Sequence, residues 1–205
     1  MAVRRATLED ADAIGSVHVA SWRAAYRGLM PDEFLDALSV EERAESWRRG
    51  FVQAAATPPD RSAVLVTVVD GEAVGFAALG PARRHPAVAL PGGEIRVLGE
   101  IGAIGEIGAF GEIGAIGEIG AFGEIVAIYL LPAQWGRGLG RELMDASLAE
   151  LRGWGFTSAL LWVLEGNVRA RRFYESGGWQ TDGAVVVAET WLPFPLREVR
   201  YVLRL

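Results

Sequence analysis

The segment Leu130–Arg141, LLPAQWGRGLGR, carries the residue types best suited to gripping an anion. Gly136, Gly138 and Gly140 alternate with Arg137, Leu139 and Arg141, just after the turn residues Pro132 to Trp135. An apolar run from Ile125 to Leu131 precedes them. Leu139, Leu143, Met144, Leu148 and Leu151 follow at helical spacing. The pattern predicts a strand, a glycine turn and a helix N-terminus. Amides at such an end lack intrahelical partners, the helix dipole is positive there, and glycine lets an anion approach the backbone. Arg137 and Arg141 add positive charge. This is chemistry for a phosphorylated cofactor.

Residue types exclude several alternatives. A P-loop needs a lysine after its last glycine, and the chain has none. A dinucleotide fingerprint started at Gly136 or Gly138 would place its last glycine on Arg141 or Leu143. Cysteine is absent, which removes disulfides, thiolate metal sites and a cysteinyl-acyl intermediate. His18 and His85 lie far apart, one in a predicted helix and one beside Pro86. They read as surface or satisfied residues, so no metal site is expected.

The elements that must position the glycine turn can be read along the chain. Val3–Thr7 reads as a first strand, Thr7-Leu8-Glu9-Asp10 as a helix start, and Ser39-Val40-Glu41-Glu42 as a capping box. Ser62–Val69 and Ala73–Leu79 are strands joined by a hairpin at Asp70-Gly71, and Gly80–Gly93 is a loop. Ser158–Leu164 reads as a strand, Val168–Ser176 as a helix closed by Gly177-Gly178, and Ala184–Glu189 and Glu198–Leu205 as closing strands. Strands before, between and after helices describe an α/β fold with a mixed central sheet flanked by helices. Trp22, Tyr26 and Phe34 are candidates to line an acceptor pocket, although aromatics at that spacing are usually core. Arg83-Arg84 reads as a solvated loop.

Gly99–Phe122 is an anomaly: GEIGAI, GEIGAF, GEIGAI, GEIGAF, with Gly123–Ile128 nearly a fifth copy. A β-helix needs more coils than four hexads supply. An assembly segment is weakened by a Glu and two glycines per hexad-to-hexad step. A tandem duplication of the strand's leading edge is the simplest reading. Six is even, so all copies stay in phase along an extended chain, and Glu118 competes with Glu124 for one site. The chain is therefore read as one domain, 1–205, with a low-complexity hexapeptide insertion at 99–122 before the central strand.

Composition bounds the partners. With 205 residues and 51% hydrophobic content, a proper core is expected. A net charge of −6 disfavours nucleic acid and mildly suits a cationic partner such as an amine, although an ordinary acidic surface explains it too. With no apolar leader and no spanning-length apolar stretch, the expectation is a cytoplasmic protein without a membrane partner. Every one of the 20 basic residues is arginine and Asn167 is the single asparagine, which reads as GC-rich coding bias.

The turn W-G-R-G-L-G after Tyr129-Leu130-Leu131-Pro132 resembles the [Q/R]-x-x-G-x-[G/A] signature of the GCN5-related N-acetyltransferases (GNAT family). A second stretch, Leu161–Trp179, resembles that family's strand followed by N-x-x-A-x-x-F-Y-x-x-x-G-[F/W]. His18–Gly28 is similar to the opening of one bacterial branch. The resemblance spans Val3 to Leu205 apart from the insertion. It implies the acyl-CoA N-acyltransferase fold and acetyl-CoA as acyl donor.

It further implies that Trp135, Gly136, Arg137, Gly138, Leu139, Gly140 and Arg141 surround the pyrophosphate. Trp135 departs from the signature's Gln or Arg, so backbone amides should do most of the gripping. The pantetheine arm should pair with Ile128, Tyr129 and Leu130 like an added strand. Tyr174 would protonate the departing thiolate, or simply pack as core. Asn167 would contact pantetheine, or simply cap its helix. Glu124 would be the general base, or a plain strand edge.

The expected activity is transfer of acetyl from acetyl-CoA to a primary amine, on a small molecule, peptide or protein, by direct attack in a ternary complex. The alternative is a non-catalytic acyl-CoA-binding sensor. Relatives of this kind are commonly homodimers.

Overall fold

The computed structural model describes residues 1–56, 61–82, 87–89, 95–97, 122–188 and 194–205. The hexad insertion therefore lies outside the described residues except for Phe122, as does the Arg83–Pro86 stretch. The described elements are β1 (Ala2–Arg5), α1 (Ala11–Ala25), α2 (Asp32–Asp36), α3 (Val40–Ala56), β2 (Ala63–Val69), β3 (Glu72–Pro81), β4 (Ala87–Ala89), β5 (Ile95–Val97), β6 (Phe122–Leu130), α4 (Leu139–Gly153), β7 (Ser158–Leu164), α5 (Val168–Ser176), β8 (Gln180–Ala188) and β9 (Leu196–Arg204). The strands form one mixed sheet in the order β1-β2-β3-β6-β7-β9-β8-β5-β4. A short strand, β4, and the end of β3 at Pro81 correct the expectation that Gly80–Gly93 is loop, and β4 pairs with β5. β5 joins the sheet parallel to β8, which is the reason a three-residue segment there is strand.

Helices cover both faces. On one, Leu143, Met144, Leu148 and Leu151 of α4 pack with Ala77, Leu79, Ile125, Leu161, Val163, Val199 and Tyr201 of the sheet. Met144, Leu148 and Leu151 stand at i, i+4 and i+7, which puts them on one stripe. On the other, Ile14 and Val17 of α1 and Trp47 of α3 pack on Val66, Phe76, Ala78 and Ala127, while Trp22 and Tyr26 pack toward Leu164, Val186 and Leu196. A Cβ on Gly15 would lie 2.8 Å from the Ala44 backbone nitrogen, so α1 and α3 cross this closely only because residue 15 has no side chain.

The start of α1 is built as the sequence indicates, with one refinement. The Asp10 carboxylate accepts from the Thr7 N–H at 2.8 Å and pairs with Arg4 at 2.7 Å, but Leu8–Asp10 is a 3₁₀ turn and the α-helix begins at Ala11.

The centre of the sheet departs from regular pairing twice. Opposite β3, Ala78 faces Ala127 while Leu79 faces Ile125, so Val126 is the extra residue of a bulge. Residues directly opposite in an antiparallel pair share a face. Glu124 faces Gly80 and Tyr129 faces Phe76. Glu124, Ala127 and Tyr129 thus share the α1 face, which plain alternation from Glu124 would not give. The second departure is between β6 and β7, which pair in parallel only over Phe122–Glu124 and Ser158–Leu160. Both strands then run on, to Leu130 and Leu164, paired to β3 and β9 but not to each other. They splay, and the cleft between them is the site.

Candidate active site

The splay opens a cavity of about 400 Å³ that reaches both faces of the sheet. Its wall on the α4/α5 face includes Trp135, Gly136, Gly138, Gly140, Arg141, Asn167 and Tyr174. On the α1 face it includes Ser21, Tyr26, Glu124, Tyr129, Trp162 and Glu198. Ile128 and Leu130 form the β6 edge between them.

The glycine turn has the form that anion binding requires. Gly136 and Gly138 have φ of 75° and 85°, left-handed values that a side chain resists, and Gly138 is the N-cap of α4. Pro132–Gln134 forms a 3₁₀ turn before them, and the Trp135 N–H closes it on the Pro132 carbonyl at 3.2 Å. The next amides, from Gly136 through Gly140, donate to no group among the described residues, whereas Arg141 and Glu142 donate back to Gly138. Successive unengaged N–H groups at the positive end of a fifteen-residue helix fit a diphosphate.

The two arginines of the turn differ in placement, and Arg141 lines the cavity. Arg141 Nη2 donates to the Ser176 carbonyl and hydroxyl, both at 3.2 Å, and its guanidinium lies over Phe173. Arg137 is exposed, donates to Gln134 Oε1 at 2.7 Å, and stands off the cavity wall. Leu139 likewise turns its side chain into the interior. Residues 137 and 139 therefore present peptide groups at the turn, and their side chains lie off the cavity wall.

Trp135 has a structural task in place of phosphate binding. Its indole N–H donates to the Leu130 carbonyl at 2.9 Å, and Arg169 of α5 stacks on its ring at 3.8 Å. The turn is thereby tied to both the strand before it and the helix beside it. The Leu131 N–H donates to Val74 of β3 at 2.8 Å. By alternation, Tyr129 also turns its peptide groups to β3, and Ile128 and Leu130 turn theirs to the cleft. An extended arm can pair with Ile128 and with the Leu130 N–H. Tyr129 instead supplies its ring to the α1 face.

Asn167 caps α5: its Oδ1 accepts from the Ala170 N–H at 3.1 Å. The cap occupies the oxygen alone, and the same side chain lines the cavity. Helix α5 is held against β9 by Tyr201, whose hydroxyl donates to Glu175 Oε1 at 2.6 Å and accepts from Arg171 Nε at 3.1 Å. That clamp fixes Tyr174, which is packed by Phe173, Trp179 and Tyr201 and has its hydroxyl in no hydrogen bond among the described residues. Burial pushes its phenol far above the ordinary value, with the nearby Tyr129 adding to the effect.

Glu124 is 1% exposed, at the apex where β6 and β7 part. Glu198, on β9 opposite Leu164, is a second buried carboxylate on the same wall. Sequence reasoning missed it, because a Glu in an alternating edge-like strand reads as solvated. Its signal was the apolar setting Leu196, Val199 and Tyr201 around it. The Tyr26 and Tyr129 hydroxyls lie 3.1 Å apart, and burial raises both phenols. His18 corrects an expectation. It is neither surface nor satisfied, being buried among aromatic rings with both ring nitrogens unpartnered among the described residues. Trp22 of α1 is core, while Tyr26, at the C-cap of α1, is core and cavity wall at once.

Comparison with known proteins completes the description. Residues 22–179 match the Acetyltransferase (GNAT) family. An uncharacterized N-acetyltransferase of Bacillus subtilis (strain 168), YuaI, is 28% identical over 165 residues, covering 80% of this chain and 72% of that one. Among solved structures, the PaiA N-acetyltransferase from Thermoplasma acidophilum in complex with coenzyme A superposes with a TM-score of 0.63 at 15% identity, covering 100% of this chain and 98% of that one. A putative acetyltransferase from Salmonella typhimurium with its cofactor acetyl-CoA gives 0.60 at 17% identity, covering 99% and 92%. These two likenesses are of fold.

Proposed function

The chain belongs to the GNAT acetyltransferase family, and on that premise we propose that it moves an acetyl group from acetyl-CoA directly to a primary amine within a ternary complex. The observation that carries this reading is the two-faced cavity. Unengaged amides and Asn167 line its α4/α5 side, carboxylates and phenols line its α1 side, and the strand splay joins the two. Donor and acceptor can enter from opposite faces and meet between β6 and β7, with no covalent enzyme intermediate required.

Each residue has a role in that reading. The amides of 136–140 hold the diphosphate, and Ile128 and Leu130 pair with the pantetheine arm. An alkylammonium, with a pKa of about 10.4, must lose a proton before attack, and Glu124 accepts it. Tyr174 donates to the sulfur as the C–S bond breaks. Its raised pKa keeps the phenol protonated at neutral pH, so it is present as a donor.

The test is thiol release from acetyl-CoA with a panel of amines. Tyr174→Phe should lower kcat by about a hundredfold, the usual worth of a positioned acid, while calorimetry shows nearly unaltered coenzyme A affinity. Full turnover in that variant would remove Tyr174 from the mechanism. Absence of thiol release with every amine would remove the transfer reading itself.

A further inference from the structure

Arg141 and Arg169 both stand on the cavity wall, and they are held differently. Arg141 is engaged by Ser176 and Phe173. Arg169 has its guanidinium carbon 3.8 Å from the centroid of the Trp135 ring and makes no hydrogen bond or ion pair among the described residues. Elsewhere the common partner of an arginine is an acid: Arg4 pairs with Asp10, Arg5 with Glu150, Arg48 with Asp12, Arg197 with Glu165 and Arg200 with Asp182. Arg169 has an indole in that place.

Its position also works against its own helix. Asn167 is the N-cap of α5, so Arg169 is the second helical residue, and the first turn holds no acidic residue. A cation there opposes the positive end of the helix dipole. Neither the helix nor an ion pair favours the charge where it stands, whereas an anion in the cleft would. The stack suits that task. A guanidinium lying over an indole keeps its N–H groups at the edge of the stack, able to donate. Stacking also removes much of the side chain's rotamer freedom before a ligand arrives, so less is lost on binding. Trp135 is in turn fixed by its bond to the Leu130 carbonyl, and it immediately precedes Gly136, the first of the unengaged amides. The guanidinium thus stands where the β6 edge meets the glycine turn.

We propose that Arg169, preset by Trp135, is a side-chain ligand of the donor's diphosphate and adds its charge, from α5, to the amides of 136–140. This rests on the reading above that an acyl-CoA donor lies along the glycine turn. The indole is the platform, and the contact to phosphate is the guanidinium's. Arg169 takes no part in bond making, so its loss acts on affinity and KM and leaves kcat alone.

The experiment is calorimetry on the full chain with coenzyme A and with dephospho-coenzyme A, which keeps the diphosphate and lacks the ribose phosphate, at low and at raised potassium chloride. Arg169→Gln should weaken both ligands by about tenfold at low salt, near the lower end of what one charge-assisted hydrogen bond supplies. The gap from wild type should narrow as salt screens the charge, and Arg169→Lys should recover part of the loss. In thiol release, Arg169→Gln should raise the KM for acetyl-CoA and keep kcat. A loss confined to coenzyme A would assign the guanidinium to the ribose phosphate and overturn the proposal. Unaltered affinity would overturn it too, as would a loss indifferent to salt, which marks packing in place of charge. If both ligands depend on Arg169 as stated but no amine is acetylated, the diphosphate contact stands and the transfer reading falls. If neither depends on Arg169 while thiol is released, transfer stands and the contact falls.

Discussion

His18 lies between the rings of Trp22, Trp47, Phe76 and Tyr129, with the Tyr129 ring stacked on it at 5.5 Å between centroids. Burial, seconded by the positive charge of Arg43, pushes its pKa down to about 3. The unfolded chain takes up a proton at this residue near pH 6.5, and the folded chain does not until about pH 3. Between those values the unfolded state binds more protons, so stability falls as pH falls. From pH 7 to pH 5 the loss from this residue is about 2 kcal/mol. Urea denaturation of wild type and His18→Phe at the two pH values should show that the variant loses correspondingly less. Identical losses would mean that His18 is protonated in the native state. The start of the α1 region at Thr7-Leu8-Glu9-Asp10 was legible in the sequence. That the imidazole would be left without a partner was not, because it depends on what β3 and β6 bring against it. The same holds for Glu198, whose environment comes from α1 and β6 and not from its own strand.

At the scale of elements, the glycine turn and α5 were legible because their signals are local: backbone φ at Gly136 and Gly138, the Asn167 cap, and apolar residues at helical spacing. The bulge at Val126 and the early end of β6–β7 pairing were not. Both are properties of two strands at once, and Ile125-Val126-Ala127-Ile128 reads as uninterrupted strand. Yet these two features make the site. The bulge brings Glu124 and Tyr129 to one face, and the splay frees the edge at Ile128 and Leu130. The turn admits a direct test. Gly138 has φ of 85° with open space where a Cβ would stand, so Gly138→Ala costs conformational strain of about 1–2 kcal/mol with no clash. Relaxing that strain moves the α4 amides, and coenzyme A affinity measured by calorimetry should drop by about tenfold. Unaltered affinity with an intact fold would show that the diphosphate is held elsewhere.

Taken as one molecule, the chain must keep β6 in a single register although hexads that mimic its first residues precede it. The lock lies downstream. Sliding by six would set Phe122 in place of Ile128 and Gly123 in place of Tyr129, removing the ring that packs on Phe76, His18 and Trp22. Glu124 is therefore the carboxylate at the apex. Gly123 is fixed as well, since a Cβ there would lie 2.6 Å from Leu151. Removing Gly99–Phe122 leaves Gly123 and everything after it, and sets Leu98 where Phe122 stood. The Phe122 carbonyl accepts from the Ala82 N–H at 3.0 Å, a backbone bond that a leucine can equally make. Because Gly123 and every later residue of the cleft are retained, the shortened chain should bind coenzyme A within about twofold of the full one and should release thiol at a similar rate. Calorimetry and the amine assay on the folded deletion variant measure both, and loss of coenzyme A binding there would mean that the hexads help to build the site.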